Sequence, residues 1–458
     1  MKVAELAQAK VLIIGGGVTG ISVAEILQSL GSEISILDED STLLADARFV
    51  AVENALSQEW DFAIVSPGWR PDHPLLQPLR DKGIRVLSEI DLAWHLKNEL
   101  RPLQKWLAVT GTNGKTTTVE LAAAMLRAGG RSAMACGNVG DTVIGAVVGD
   151  VDFDFLVLEL SSFQLHWSEL PEFHASAILN IADDHTDWHG SFQNYVAAKL
   201  RILDRAQVGI LNADDAPVVE ATSSWKGKKV FYSLRSPKPG ELGVVEDLLV
   251  DRAFVLDTDE AEMIAELPDV HPSSPHNVSN ALAAAGLARS AGISYSAIRR
   301  TIQAFRPGRH RIEIVGEKDG IVWINDSKAT NPHAAAASLA SLASTIWIAG
   351  GLAKGASMHE LVSENGSGIK VAILIGKDRE IIAEELMSHA GHVRIIRVDH
   401  DVDEDTSLME KVVMEAARLA QSGDTVLMAP ACASMDQFAS YADRGDQFCQ
   451  AVKKYVLT

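Results

Sequence analysis

Residues Thr110–Thr118 read T-G-T-N-G-K-T-T-T, directly after the apolar run Trp106–Val109 and at the head of a helical pattern over Thr116–Ala128. A buried-type strand that turns through two glycines into a helix is a β–loop–α unit, and such units belong in parallel sheets covered by helices. The same alternation runs along most of the chain. Lys10–Ile14, Glu33–Leu37, Phe62–Val65, Phe155–Leu158 and Ser176–Asn180 read as strands, and Gly20–Leu30 reads as a helix. The fold class expected is α/β with mostly parallel sheets.

At 458 residues the chain is too long for one hydrophobic core. Three blocks are expected. Residues 1–99 open with Lys10–Gly20 and end near the polar stretch Leu96–Gln104. Residues 100–306 carry the Thr110–Thr118 loop. Residues 307–458 begin near Pro307–Arg311, contain a strand at Gly320–Asn325 and end in a helix over Phe448–Val456.

A glycine-bearing loop at a helix N-terminus aims backbone N–H groups at an anion, and the helix dipole adds to their pull. Lys115 would reach the β- and γ-phosphates of a nucleotide, and Thr116 would place its hydroxyl on Mg²⁺. The full pattern G-x-x-x-x-G-K-[ST] is not met, because Val109 stands where its first glycine would be. Glu159 ends the Phe155–Leu158 strand, where ligand sites lie in α/β folds. It reads as the metal carboxylate, or else as a solvated strand end. Asp183, Asp184, His185, Asp187 and His189 form a mixture that suits a divalent cation or a polar loop before a helix starting near Ser191. Tyr195 and Lys199 share one face of that helix. Composition alone makes Lys199 a solvated lysine.

Gly15, Gly17 and Gly20 satisfy G-x-G-x-x-G, and Asp38 follows the second strand at the distance of a ribose contact. Read alone, this is a nicotinamide- or flavin-dependent oxidoreductase. A UDP-linked substrate, with its diphosphate and ribose, fits the same turn. The net charge of −20 argues against nucleic-acid and anionic-membrane partners. Three unpaired cysteines, Cys136, Cys432 and Cys449, fit a reducing compartment. The run Val11–Ile14 is too short for a signal peptide, and the Ala-rich stretch Ala334–Ala343 is too short for a membrane span. A soluble, cytoplasmic protein is expected.

Taken in order, T-G-T-N-G-K-T-T, E-L-S-S-F-Q-L (159–165), D-D-H-x-D (183–187), H-N-x-x-N (276–280), N-D-S-K-A-T-N-P (325–332) and P-A-C-A-S-M-D-Q-F (430–438) resemble the Mur ligases, relatives of folylpolyglutamate synthetase. The likeness spans essentially the whole chain and is greatest to the D-glutamate-adding members. It implies an N-terminal Rossmann-like domain for the UDP of the substrate, a central P-loop-type ATPase domain and a C-terminal Rossmann-like domain for the amino acid. It implies ATP-driven joining of D-glutamate to UDP-N-acetylmuramoyl-L-alanine through an acyl phosphate. A monomer is expected. The family's ATP contacts fall on Gly111, Thr112, Asn113, Gly114, Lys115, Thr116 and Thr117, with Asn277 and Asn280 on the adenine side and His310 and Asp326 on the ribose. Two Mg²⁺ ions are implied, on Thr116, Glu159, His185 and a carbamylated Lys199, which reverses the solvated reading of that lysine. Val18, Thr19, Asp38 and Ser66 fall on uridine-diphosphate positions, and Asn138 on the sugar. Thr330, Lys354, Ser434, Met435 and Tyr441 fall on the D-glutamate pocket. Arg311 and Lys328 join Lys115, His185 and Lys199 as catalytic positions. Tyr441 stands where phenylalanine is familiar. Another amino-acid-adding ligase leaves the Gly15–Gly20 turn unexplained, and an oxidoreductase or a regulatory ATPase leaves the later motifs unexplained.

Overall fold

The computed structural model describes residues 2–40, 42–43, 46–257, 259–340, 342–399 and 406–458. Among them the strands form three sheets. The first holds β1 (Lys10–Ile14), β2 (Glu33–Leu37), β3 (Phe62–Val65) and β4 (Arg85–Ser88), all parallel, in the order β2-β1-β3-β4. The second adds β5 (Lys105–Thr110), β6 (Ala133–Gly137), β7 (Phe155–Glu159), β8 (Ala175–Ile178), β9 (Val208–Asn212), β10 (Lys228–Tyr232), β11 (Glu241–Val245), β12 (Leu248–Asp251) and β13 (Glu262–Glu266). Its order is β13-β12-β11-β10-β9-β8-β5-β7-β6, parallel except that β12 and β13 form an antiparallel edge. The third holds β14 (Glu313–Lys318), β15 (Ile321–Asn325), β16 (Thr345–Gly350), β17 (Ile369–Ile375), β18 (Arg394–Arg397) and β19 (Thr425–Met428). Its order is β14-β15-β19-β16-β17-β18, with only β14 antiparallel.

The strands read from apolar runs are present because parallel sheets are covered by helices on both faces. Phe62–Val65 and Phe155–Glu159 are buried along their whole length. The Ser176–Asn180 strand stops at Ile178, because Asn180 leaves the sheet to bond the Thr110–Thr118 loop. The last helix begins at Tyr441 rather than Phe448, since the Ser440 side chain accepts from the Asp443 N–H and caps it. Among the described residues, no helix is long and apolar enough to cross a membrane.

The chain divides into two compact units. Met1–Ile181 and Trp188–Phe305 make one; Ala182–Asp187 and Arg306–Thr458 make the other. The first two sheets therefore belong to a single unit, and one apolar cluster runs through both. Leu92, Ala93 and Leu96 of the helix Glu89–Leu100 share it with Trp106, Leu156 and Leu158 of the second sheet. Trp94 and Trp106 meet edge to face at 5.0 Å. In the second unit, separate apolar clusters cover the two faces of the third sheet.

Glu89 sits within the first core, and its Oε1 accepts from the Ile144 N–H at 2.6 Å. Burial pushes its carboxyl up from 4.5 to about 7. A carboxyl whose folded pKa is raised binds its proton more tightly in the folded state, so its contribution to stability falls as pH rises from 4.5 to 7. The whole effect is about 3 kcal/mol. Glu89→Gln stays neutral at every pH. Its urea midpoint is expected to exceed the parent's at pH 8 and to match it near pH 4. An equal difference at both pH values would reject this reading.

Candidate active site

In the second sheet the chain leaves β5 toward β6 on one side and later toward β8 on the other. Ligand crevices open at the carboxyl ends of strands at such a reversal. The loop after β5 occupies that position. Gly114 stands immediately before the helix Lys115–Ala128 at φ 85°, and a Cβ there would lie 2.3 Å from Asn280 Oδ1. Only glycine fits. It also brings no side chain to accept from the first-turn N–H groups, the arrangement that suits an anion.

The loop is clamped from β8. The Thr112 N–H donates to Asn180 O at 2.9 Å, and the Asn113 N–H donates to Asn180 Oδ1 at 2.8 Å. Asn180 Nδ2 returns a bond to Asn113 O at 3.1 Å. Lys115 Nζ donates to Gly111 O at 2.9 Å and Thr112 O at 3.0 Å. Lys199 Nζ donates to the same Gly111 O at 2.8 Å. Lys199 is buried, 4.6 Å above the Tyr195 ring, whose hydroxyl lies 2.9 Å from Thr112 Oγ1. The solvated reading of Lys199 is thereby corrected: its helix packs its basic end under the loop. Thr116 and Thr117 are buried in the first turn, and Thr118 Oγ1 donates to Gly114 O at 3.0 Å. Asn280 packs on Gly114, while Asn277, one turn earlier, donates to Pro272 O at 3.2 Å.

Glu159 is the last residue of β7 and is buried, not solvated. Its Oε1 accepts from Asn138 Nδ2 at 3.0 Å, while its buried Oε2 has no hydrogen-bond partner. A buried carboxylate oxygen left unpaired is costly, and a hard divalent cation satisfies it with the oxygen chemistry Mg²⁺ prefers. Glu159 therefore fits a Mg²⁺ ligand, and Asn138 orients it. His185 falls in the second compact unit at φ 53°, with Nε2 3.5 Å from Asp184 Oδ2. Ser161 caps the helix Ser162–Trp167, and His189 bonds Ser162 Oγ at 2.9 Å.

The first sheet reverses its winding between β1 and β3, and the glycine turn lies at that point. Asp38 Oδ2 accepts from the Gly16 N–H at 2.5 Å, and Ser66 Oγ donates to Gly15 O at 3.2 Å. A Cβ on Gly20 would lie 1.8 Å from Gly15 O, so the helix Val18–Ser29 presses on the turn. Val18 is 83% exposed at its start, with Thr19 beside it. Asp38 and Ser66 thus shape the turn itself.

In the third sheet the reversal lies at β16 and β19. The segments that follow β15, β16 and β19 bring Asp326 to Thr330, Gly350 to Lys354 and Ala429 to Met435 to this end of the sheet. Lys354 stands exposed at φ 51°, Met435 is 73% exposed, and Ser434 is buried. Lys328 Nζ sits 3.8 Å above the Tyr441 ring, a cation–π contact that makes Tyr441 a platform for the lysine. The Thr330 N–H donates to Lys328 O at 2.8 Å, and Arg311 is half-buried. Asp326 accepts from Ser338 Oγ and from the Ile312 N–H, and burial pushes its carboxyl up to about 6. His310 is buried against Asn325 at 2.9 Å, and burial lowers its pKa.

Two residues escaped the sequence reading. Asn180 has a partial signal, an amide at the carboxyl end of an apolar strand. Arg444 has none. It is fully buried, with Nε donating to Ser327 Oγ at 3.0 Å and Nη2 to Ser327 O at 3.0 Å and Cys432 O at 3.1 Å. Its Nη1 lies 3.4 Å from Gly350 O, so one guanidinium ties the three segments together.

Family models for the Mur ligase middle domain and the Mur ligase glutamate ligase domain match residues 109–288 and 310–432. A model of the alanine dehydrogenase/PNT C-terminal domain matches residues 1–61. The UDP-N-acetylmuramoylalanine--D-glutamate ligase of Thermobifida fusca is 47% identical, over 98% of this chain and 99% of its own. That of Streptomyces avermitilis is 45% identical, over 97% of each. The chain belongs to the Mur ligase family. The family's fold extends to solved structures of low identity. A pseudomurein peptide ligase type C from Methanothermus fervidus, 17% identical, covers 98% of this chain and 100% of its own with a TM-score of 0.60. The MurF ligase from Thermotoga maritima in complex with ADP, 16% identical, covers 99% and 97% with a TM-score of 0.59. Within this family the Gly15–Gly20 turn carries no oxidoreductase implication.

Proposed function

We propose that the chain joins the amine of D-glutamate to the carboxylate of UDP-N-acetylmuramoyl-L-alanine, cleaving ATP to ADP and phosphate, in peptidoglycan precursor synthesis. The observation that carries the nucleotide chemistry is Lys115 at the head of the helix after the phosphate loop, its Nζ held on the Gly111 and Thr112 carbonyls, beside a family match over the full length. The substrate carboxylate attacks the γ-phosphorus, and ADP leaves from an acyl phosphate. The D-glutamate amine then attacks the acyl carbon, and phosphate departs as the amide forms. Joining two anions needs positioned positive charge. Lys115 supplies it, and the loop N–H groups orient the phosphates. Mg²⁺, when bound, neutralises phosphate charge; Thr116, Glu159 and Lys199 as a carbamate are the residues assigned to hold it, with His185 assigned to a second ion. Asn138 keeps Glu159 turned the right way.

Three domains divide the work in this reading. Residues 1–99 take the UDP through Val18, Thr19, Asp38 and Ser66, residues 100–306 take ATP, and residues 307–458 take D-glutamate. In the last, Lys354, Thr330 and Ser434 suit carboxylates, and Arg311 and Lys328 add charge. His310, Asp326, Asn277 and Asn280 take the nucleoside. The chain acts in the cytoplasm as a monomer. ADP release measured with UDP-N-acetylmuramoyl-L-alanine and a panel of amino acids is expected only with D-glutamate. Turnover with L-glutamate or lysine but not D-glutamate would overturn the specificity.

A further inference from the structure

The helices His359–Asn365 and Arg379–His389 pack together through Leu361, Val362, Ile382, Ala383 and Leu386, all buried in one apolar cluster of the second unit. At their solvent edge stand His359, Glu385 and His389. Glu385 and His389 are four residues apart and share a helix face. His359 Nδ1 lies 3.2 Å from Glu385 Oε2, and His389 Nε2 lies 3.4 Å from the same oxygen. The two rings meet edge to face at 4.6 Å, and one donor atom from each of the three residues lies within 4.8 Å of the others. None of the three has a part in the ligation chemistry above.

We propose that His359, Glu385 and His389 form a binding site for a divalent transition-metal ion of the Zn²⁺, Co²⁺ or Ni²⁺ class. The ligand set decides the class: two imidazoles and one carboxylate suit these ions, whereas Mg²⁺ takes oxygen ligands. The geometry agrees. Two ligand atoms each about 2.1 Å from a metal, at angles between square and tetrahedral, are about 3.0–3.4 Å apart. The two imidazole–carboxylate distances already match, and a side-chain adjustment on the order of 1 Å would bring the third pair into range. Access is open, with the side chains of His359, Glu385 and His389 being 54%, 28% and 38% exposed, so water can complete the coordination. His389 also ends its helix, where the helix dipole favours positive charge. A bound ion would cross-link the two helices and stabilise this unit by mass action.

The competing arrangement is two imidazoles merely hydrogen-bonded to one carboxylate. The full-length chain, stripped by a chelator and held in excess Mg²⁺ to occupy oxygen-rich sites, is titrated with Co²⁺ and, separately, Zn²⁺. Visible absorption of Co²⁺, calorimetry and melting temperature are read together. Expected are one ion per chain, imidazole-type Co²⁺ bands and a melting temperature raised by Zn²⁺. His359→Ala and His389→Ala are expected to weaken binding at least about tenfold and Glu385→Gln by about tenfold. All three positions are partly exposed, and far-UV circular dichroism checks that the variants fold. Unchanged binding in the His359→Ala/His389→Ala double variant, or no binding to the parent below about 1 mM, would overturn the proposal.

Discussion

Replacing Lys199 by Ala is expected to lower the rate of ADP release at saturating substrates by at least about a hundredfold. The side chain is buried, and its ammonium is held 2.8 Å from Gly111 O at the mouth of the phosphate loop. Whether it acts as a cation on the phosphates or as a carbamate on a metal, its removal deletes charge where the reaction develops charge. A surface lysine on a helix has neither role, and its loss changes stability by less than about 0.5 kcal/mol. Steady-state kinetics decide the matter, with urea unfolding as the control for folding. Added bicarbonate is expected to restore nothing, because the amine that would carry a carbamate is gone. A folded variant with near-parental rate would rule out both roles.

Arg444→Ala is the second large effect. One guanidinium donates to Ser327 Oγ, Ser327 O and Cys432 O and reaches toward Gly350 O, all inside the fold. Burial lowers its pKa to about 10, so it remains charged at neutral pH. Hydrogen bonds from a charged donor are worth about 1.5–3 kcal/mol each, and truncation also leaves a cavity. The expected loss of stability is about 3–5 kcal/mol, together with a rise of at least about tenfold in KM for D-glutamate. Arg444→Lys keeps the charge but not the planar fork. It is expected to recover part of the stability and little of the KM. Arg444 acts through the segments it ties, so a KM-against-kcat split separates positioning from general destabilisation. A variant within about 0.5 kcal/mol of the parent with unchanged KM would remove the role.

Much of the fold was legible in local pattern. Apolar runs became β1, β2, β3, β5 and β7 with small shifts at their ends. Boundaries moved where a side chain outside the apolar pattern took over the backbone bonding, as Ser440 does for the last helix and Asn180 does after β8. The antiparallel edge β12–β13 is short and partly polar, and carries no strong periodicity. The phosphate loop was legible because its signal is local: two glycines, a lysine and threonines between a strand and a helix. Asn138 is the opposite case. Its contact with Glu159 joins residues brought together by β6 and β7 pairing, and no pattern within either segment announces it.

By itself the sequence determined the α/β class, the anion-binding loop at Gly111–Lys115, the glycine turn at Gly15–Gly20 and, through ordered motifs, the family. Each of these is written in neighbouring residues, because backbone turns and strand–helix alternation are local consequences of residue type. Only the tertiary structure decided which polar groups lose water. Lys199, Glu159 and Arg444 each look like ordinary charged residues in their own segments, yet all three are buried. Burial depends on what the topology packs over a residue, and that is set by strands far away in the chain. The convergence of His359 with Glu385 and His389 has the same origin, since two separate helices must pack side by side before three solvated side chains can share one ion.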